Sequence, residues 1–230
     1  MVEGNITDQS GPYFVKITRS VNFDQDNIFP QVSGAKVVIT DNNSGQIDTL
    51  QELTPGNYQT SVLNGIPGHN YSLYINAAGK VLTSNCTMPM PVTLDSLYSE
   101  VAGFRGKNIS VIPVYFDPIK TGNFYHFTVI KNDTLTNAIN VRNDALVNGQ
   151  VIQQPISTGG NVGKLIPGDI VTVSLECIDS MVYQFYYTLR QSQNENAATP
   201  TNPVSNILGG QSLGYFSAHT VSSKTIIIPF

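Results

Sequence analysis

The sequence predicts a mainly β protein built from two antiparallel β-sandwich domains, with one amphipathic helix in the C-terminal domain. Three observations support this fold class. Most of the chain consists of short segments in which apolar and polar residues alternate. Clusters of Gly, Pro and Asn separate these segments, as tight turns require. Only one stretch, near residues 180–193, has the period of a helix.

The first predicted domain covers residues 1–89. Its strand-like segments include "YFVKITRSV", "AKVVITD", "NYSLYINA" and "KVLTSNCT", and "DNNSG" and "NGIPGH" separate some of them. Alternation places Val37 and Ile39 on one face of their strand, and Tyr71 and Leu73 on one face of another. We therefore expect a small antiparallel sandwich whose core contains these side chains.

The second predicted domain covers residues 90–230. The two prolines of "MPMPV" at 88–92 interrupt strand pairing, because proline cannot donate a ladder hydrogen bond. Strand-like segments then resume with "NISVIPVYF", "NFYHFTVIK" and "DIVTVSLECID". In the last of these, alternation places Leu175 and Cys177 on one apolar face. The sequence leaves two alternatives for Cys86 and Cys177: they form a disulfide, or each is a buried thiol.

The predicted helix follows this strand. Its apolar stripe falls at positions i, i+3, i+4 and i+7, which are Val182, Phe185, Tyr186 and Leu189. Either Asp179 or Ser180 is suited to cap its N-terminus. Tyr183 and Tyr187 lie beside the stripe, where tyrosines often serve binding surfaces, so both are candidate binding residues.

The composition excludes nucleic acid as a partner. Twelve Lys and Arg against sixteen Asp and Glu give 12 − 16 = −4, and only 12% of residues are charged. Phosphate binding needs a concentrated basic face, which this chain lacks. Asn, Gln, Ser and Thr must instead hydrate the surface, a composition common in exported β proteins.

The stretch "SNILGGQSLGYFSAHT" at 205–220 is interpreted as a turn that leads into a strand. "GGQSLG" matches neither phosphate-binding glycine motif and does not link a parallel strand to a helix. Gly209 and Gly210 are expected to adopt positive φ, with Phe216 directed into the core. Tyr215 and His219 are candidates to line an adjacent groove.

Metal, cofactor and catalytic sites are not expected. Asp41 opens "DNNSGQID", but the spacing does not match an EF-hand, so a hairpin turn is favoured over calcium binding. The long loop 22–34 carries Asp24 and Asp26, which are candidate recognition residues. No nucleophile elbow is present, and the histidines form no H-x-x-x-H pair; they are His69, His126 and His219.

Several segments in order along the chain resemble the DUF4249 family. They include "VEGNITDQSGPYFVKITRS", "VSGAKVVITD", "GIPGHNYSLYI", "VYQFYYTL" and "NPVSNILGGQSLGYFSAHTV". This family contains exported Bacteroidetes proteins without an assigned function. The resemblance implies a signal peptide that ends in a lipid-modified cysteine. It also implies a cell-envelope location at the outer membrane, because members are frequently encoded beside TonB-dependent receptors.

Residues 34–75 also resemble transthyretin-like and carboxypeptidase-regulatory-like β-sandwiches, so the first domain is expected to be transthyretin-like or immunoglobulin-like. Such modules are non-catalytic. The leading hypothesis is an accessory lipoprotein of a TonB-dependent transporter that captures a small nutrient ligand or helps to assemble the complex. A structural or adhesive module is the alternative, and a hydrolase is a third possibility. The candidate binding residues are Tyr183, Tyr187, Tyr215, His219, Asp24 and Asp26.

Four tripeptides resemble the D-[ST]-apolar O-glycosylation signal of exported Bacteroidetes proteins. Their hydroxyl residues are Thr49, Ser96, Thr134 and Ser180. Ser180 also has the alternative role of a helix cap.

Overall fold

The computed structural model of this protein describes residues 1–20, 29–102, 108–160, 163–193, 202–210 and 212–229. Within these residues the chain forms sixteen strands and one helix. The first eight strands are β1 (Val2–Thr7), β2 (Phe14–Ile17), β3 (Lys36–Asp41), β4 (Ile47–Thr49), β5 (Gln51–Thr54), β6 (Asn57–Gln59), β7 (Asn70–Ala77) and β8 (Lys80–Thr87). The remaining elements are β9 (Leu94–Ala102), β10 (Asn108–Phe116), β11 (Phe124–Lys131), β12 (Thr134–Leu135), β13 (Asn140–Asn143), β14 (Val151–Gln153), β15 (Ile170–Ile178), α1 (Ser180–Ser192) and β16 (Gly214–Ile227). The protein is therefore mainly β with one helix, which confirms the predicted fold class.

The chain divides into two compact units. The first comprises Met1–Pro89 together with Gln184–His219, and the second comprises Met90–Tyr183 together with Thr220–Phe230. The sequence division at residue 90 places 184–219 in the second domain, whereas these residues belong to the first unit. The reason is that the beginning of β16 pairs with β1. Both α1 and β16 consequently contribute residues to both units.

The pairing of β1 with β16 is parallel, with Val2 opposite Gly214 and Thr7 opposite His219. The other strand pairs among the described residues are antiparallel. A parallel pair needs a long connection, and here almost the whole chain lies between the two strands. Local alternation predicts both strands but carries no information about their relative direction.

Two sheets enclose the core of the first unit. One has the order β16, β1, β2, β6, β5, and the other has the order β4, β3, β7, β8. Both sheets supply side chains to one apolar cluster, in which Val37, Ile39, Tyr71 and Leu73 are buried as predicted. The largest fully buried side chains of this core include Tyr58 and Phe216.

The second unit also has two sheets and one apolar cluster. Its sheets have the orders β14, β10, β9 and β12, β11, β15, β16, and β13 pairs with β11 as well. Leu175 and Cys177 lie in this core, which confirms the face predicted for β15. The possible bridge between Cys86 and Cys177 is not formed, because each is a buried thiol, one in each core.

Helix α1 begins as the sequence predicts. Asp179 is the N-cap, and its Oδ1 accepts a hydrogen bond of 2.8 Å from the backbone N–H of Val182. Val182 and Phe185 are buried, and the other two stripe residues, Tyr186 and Leu189, are half-buried. Among the described residues, no helix combines the length and the apolar character that crossing a bilayer requires.

The glycine pair before β16 forms the expected turn. Gly209 has φ +99° and Gly210 has φ +91°. A Cβ at Gly209 would also lie 2.2 Å from the carbonyl oxygen of Val81, so the backbones approach too closely for any side chain. The neighbouring Leu208 forms a two-hydrogen-bond bridge with Thr83. The phosphate-binding alternative is thus replaced by a structural role.

Asp48 holds the segment that follows β6. Its buried carboxylate accepts hydrogen bonds of 2.8–2.9 Å from the backbone N–H groups of Ser61, Val62 and Leu63, and one from the Ser61 hydroxyl. Burial alone would raise the pKa of Asp48, but these hydrogen bonds outweigh it and hold the pKa below its usual value. The segment is therefore fixed by an ionised carboxylate.

Replacing Phe185 with alanine should lower the free energy of unfolding by about 3–5 kcal/mol, because it removes a buried aromatic side chain. Tyr187→Ala should cost clearly less, since Tyr187 is half-buried. Denaturant unfolding with comparable m-values measures both losses. Equal losses would contradict this assignment of the buried face.

Replacing Asp48 with asparagine should lower the free energy of unfolding at pH 7 by about 1–3 kcal/mol. Asparagine accepts fewer hydrogen bonds, and its N–H₂ group, itself a donor, would face the three backbone N–H donors of residues 61–63. A depressed folded-state pKa stabilises the fold above the unfolded value of about 3.9. This contribution is lost as the pH falls through the folded-state pKa. The difference between wild type and variant should therefore shrink below about pH 4.

The control for this variant is Asp95→Asn, since Asp95 is exposed on β9. Urea unfolding midpoints of the three proteins across this pH range provide the measurement. A difference between wild type and Asp48→Asn that stays constant with pH would rule out an ionised, hydrogen-bonded Asp48.

Candidate functional site

One face of the first unit carries polar and aromatic side chains in regular rows. It is the side of the β16, β1, β2, β6, β5 sheet that is turned away from the core, and we call it the polar face. Directly opposed residues on paired strands project to the same side, so the register defines its rows. The first row, called the Phe14 row, contains Ser217, Asn5, Phe14, Gln59 and Gln51. The second, called the Tyr215 row, contains Tyr215, Glu3, Lys16 and Asn57.

Tyr215 lies in an aromatic cluster at one end of the polar face. Its ring centroid is 4.9 Å from that of Phe185 and 5.2 Å from that of Tyr186. Its hydroxyl oxygen accepts a weak hydrogen bond of 3.4 Å from the side chain of Asn5. These ring contacts join helix α1 to the sheet. Because Tyr215 is only half-buried, part of its side chain remains accessible to solvent.

Ser217 and His219 form a buried pair on the same strand. The Ser217 hydroxyl oxygen lies 2.9 Å from Nδ1 of His219, and the two residues are only 1% and 6% exposed. A catalytic serine must reach its substrate, which this burial prevents in the structure. His219, a candidate to line an adjacent groove, is thus buried in the structure beside Ser217, and its part in binding stays a prediction.

A cleft of about 520 Å³ lies beside the Phe14 row, and we call it the amide groove. One wall is the segment 10–12 and the other is the segment 59–64, with Gln51 completing the lining. The described residues that line it are all uncharged, and three of them have side-chain amides: Gln51, Gln59 and Asn64. Such a lining offers both hydrogen-bond donors and acceptors and contributes no charged side chain of its own.

Hydrogen bonds to two buried residues, Tyr13 and Asp48, hold both walls of the amide groove. The Tyr13 hydroxyl donates to the carbonyl of Gln9 at 2.7 Å and accepts from the N–H of Gly65 at 2.9 Å. The Tyr13 backbone N–H donates to the Thr60 hydroxyl oxygen at 2.8 Å. Asp48 fixes the 61–63 backbone from the other side. The groove is thus formed in advance of any ligand.

The two helix tyrosines have different environments. Tyr183, predicted to lie beside the buried stripe, is only 8% exposed; its ring is 5.0 Å from that of Phe124, and its hydroxyl oxygen accepts from the Asn143 side chain at 3.2 Å. Tyr183 is buried because Phe124 of strand β11 packs against its ring, a contact that helical spacing does not reveal; its role as a binding residue stays a prediction. Tyr187 is half-buried, and the Arg190 guanidinium lies 5.5 Å from its ring centroid.

Asp41 has the role of a turn residue. Its carboxylate accepts hydrogen bonds from the N–H groups of Asn43 and Ser44 and from the Ser44 hydroxyl. Nδ1 of His69 lies 2.8 Å from its Oδ2. These bonds outweigh the effect of burial and lower the pKa of Asp41. Within the described residues, no three His, Cys, Asp or Glu side chains are grouped in a way that could hold a metal ion.

The remaining candidates are the loop residues and the glycosylation signals. Asp24 and Asp26 lie outside the described residues. Thr49, Ser96, Thr134 and Ser180 are all exposed, and glycosylation of these residues stays a prediction. Asp179 and Asp48, which begin two of the four signals, are engaged in hydrogen bonds within the fold.

Sequence reasoning missed Phe14 and the amide groove. Alternation in "YFVKI" buries Tyr13, Val15 and Ile17, and so places Phe14 on the opposite face, where it is 52% exposed. This outward aromatic was the available signal. No signal in the sequence indicated that Gln59 and Gln51 lie beside Phe14, since their alignment depends on pairing between strands that are separated along the chain.

Comparisons with known proteins support a family and no specific activity. The family model described as "Domain of unknown function (DUF4249)" matches residues 1–225. Comparison with curated proteins gives no match. Among solved structures, the chain is similar to the selenomethionine-substituted chicken interferon gamma receptor alpha chain, with 10% identity, 100% of this chain and 97% of that chain covered, and a TM-score of 0.29. A similarity this low carries no argument about fold or function.

The family model spans nearly the whole chain, and its description indicates no catalytic activity. This protein belongs to the DUF4249 family.

Proposed function

We propose that this protein is a non-catalytic cell-envelope lipoprotein that assists a TonB-dependent outer-membrane transporter, by capturing a small nutrient ligand or by assembling with the transporter. The observation that carries the proposal is the polar face with its amide groove, a preformed uncharged cleft beside an exposed aromatic side chain. Ligand sites are typically preformed clefts with a few well-placed polar groups. The adjacent helix supplies a second surface for a protein partner.

Two features support a binding role over a catalytic one. The Ser217 and His219 pair is buried and bonded internally. The polar groups that line the groove are amides, hydroxyls and backbone groups, which bind ligands but do not titrate near neutral pH. The site is therefore suited to holding a molecule without changing it.

The location and the partner rest on family membership. Lipid anchoring at the outer membrane and assembly with a TonB-dependent receptor are what the resemblance to DUF4249 proteins implies. The low charge of the chain agrees with a partner other than nucleic acid. Tyr187 and Arg190 are residue types enriched at protein interfaces, and they lie together on helix α1.

Tyr187→Ala should weaken association with the transporter by on the order of tenfold, because it removes an aromatic anchor and with it the ring over which the Arg190 guanidinium lies. The measurement is recovery of the transporter with an affinity-tagged copy of the protein expressed in a Bacteroidetes host. Tyr74→Ala is the matched control, since Tyr74 is a 37% exposed tyrosine on β7.

Equal recovery with Tyr187→Ala and with the control would remove Tyr187 from the interface. If the wild-type protein recovered neither a transporter nor a bound nutrient, the accessory function would be wrong. That result would favour the structural or adhesive alternative.

A further inference from the structure

We infer that the amide groove and Phe14 together form a binding site for a neutral glycan chain. The inference rests on the proposed ligand-capture function and names the chemical class of its ligand. Four observations carry it: the alignment of the row, the exposed aromatic, the absence of charge in the described lining, and the fixed walls.

The alignment creates a continuous strip across four strands. Asn5, Phe14, Gln59 and Gln51 are successive register partners on β1, β2, β6 and β5. Three steps of about 4.8 Å between strands give a strip of about 14 Å. A short oligosaccharide fits along this length, and the last two residues of the strip also line the amide groove.

The chemistry of the strip matches the two sides of a sugar ring. A pyranose presents an apolar face of C–H groups and a rim of hydroxyls, each of which donates and accepts hydrogen bonds. Phe14 is 52% exposed and offers an apolar ring to the C–H face. The amides of Asn5 and Gln59 on either side offer both donors and acceptors to the hydroxyls.

The charge distribution favours a neutral ligand. The described residues that line the groove are uncharged. Asp48 is ionised behind residues 61–63, but it is only 1% exposed, and three backbone N–H groups donate to its carboxylate. In the Phe14 row and the Tyr215 row the charged side chains are Glu3 and Lys16, which are direct register partners, so their opposite charges lie side by side. Neither an anionic nor a cationic chain would gain a net attraction there.

The position of the strip within the sheet argues against a peptide. A peptide that adds a strand needs an unpaired sheet edge for its main-chain hydrogen bonds. Strands β2 and β6 each pair with neighbours on both sides, so Phe14 and Gln59 lie on the face of the sheet and not at its edge. A ligand here is bound through its own polar groups and its apolar face.

The fixed walls reduce the entropic cost of binding. Tyr13 ties segment 9–13 to Thr60 and Gly65, and Asp48 ties residues 61–63. Asn64, at the end of the second wall, is exposed and directly follows this fixed backbone. A preorganised groove binds weakly interacting neutral ligands more tightly than a mobile one would.

Native affinity electrophoresis tests the inference. The complete protein is run in gels that contain galactomannan, xyloglucan, laminarin or dextran, with alginate as the charged comparison. At least one neutral polysaccharide should retard the wild-type protein. Phe14→Ala and Gln59→Ala should each weaken that binding by about tenfold or more, because each removes a direct contact.

Phe116→Ala is the matched control, since Phe116 is a 47% exposed phenylalanine on β10 of the second unit. It should keep wild-type retardation. Thermal unfolding of each variant checks that the fold is intact. If Phe14→Ala lowers the unfolding midpoint, the Gln59→Ala variant decides the question.

Three results would overturn the glycan site: no retardation by any of the neutral polysaccharides, retardation by alginate alone, or an equal loss with Phe116→Ala. Binding of casein peptides in place of the polysaccharides would overturn it as well. The outcome is independent of the transporter experiment. A protein that binds glycan but recovers no transporter keeps this site and loses only the proposed accessory role.

Discussion

The first unit depends on the parallel pairing of β1 with β16, which joins strands from opposite ends of the chain. The two backbones approach so closely that a Cβ at Gly214 would lie 1.8 Å from the carbonyl oxygen of Val2. Gly214 also has φ +118°, which strongly favours glycine. At Gly4 a Cβ would lie 3.0 Å from the Phe216 ring. Glycines at both positions thus permit the register on which the polar face depends.

That register has consequences on both sides of the sheet. On the core side it delivers Phe216 and Ala218 to the apolar cluster of the first unit. On the other side it aligns Tyr215 with Glu3 and Ser217 with Asn5, which begins the two rows. A shift of one residue would exchange the two sets, so the core and the candidate site are specified by the same hydrogen bonds.

Buried polar groups position the groove. Tyr13 and Asp48 are both nearly inaccessible, and their oxygens hold backbone N–H groups of the segment between β6 and β7. An irregular segment has no ladder to satisfy its backbone, so such side chains take over that role. The side chains that line the groove are uncharged, and three of them are amides.

The sequence by itself determined the strands, the faces that they bury, the N-cap of the helix and the glycine turn, because these depend on alternation, helical period and local backbone freedom. It also carried the family resemblance. Only the tertiary structure decided that residues 184–219 belong with the first unit, that Tyr183 is buried against Phe124, and that Gln59 and Gln51 lie beside Phe14. These features depend on which strands pair and in which register, and pairing between distant segments is chosen by the packing of the whole core, which no local pattern records.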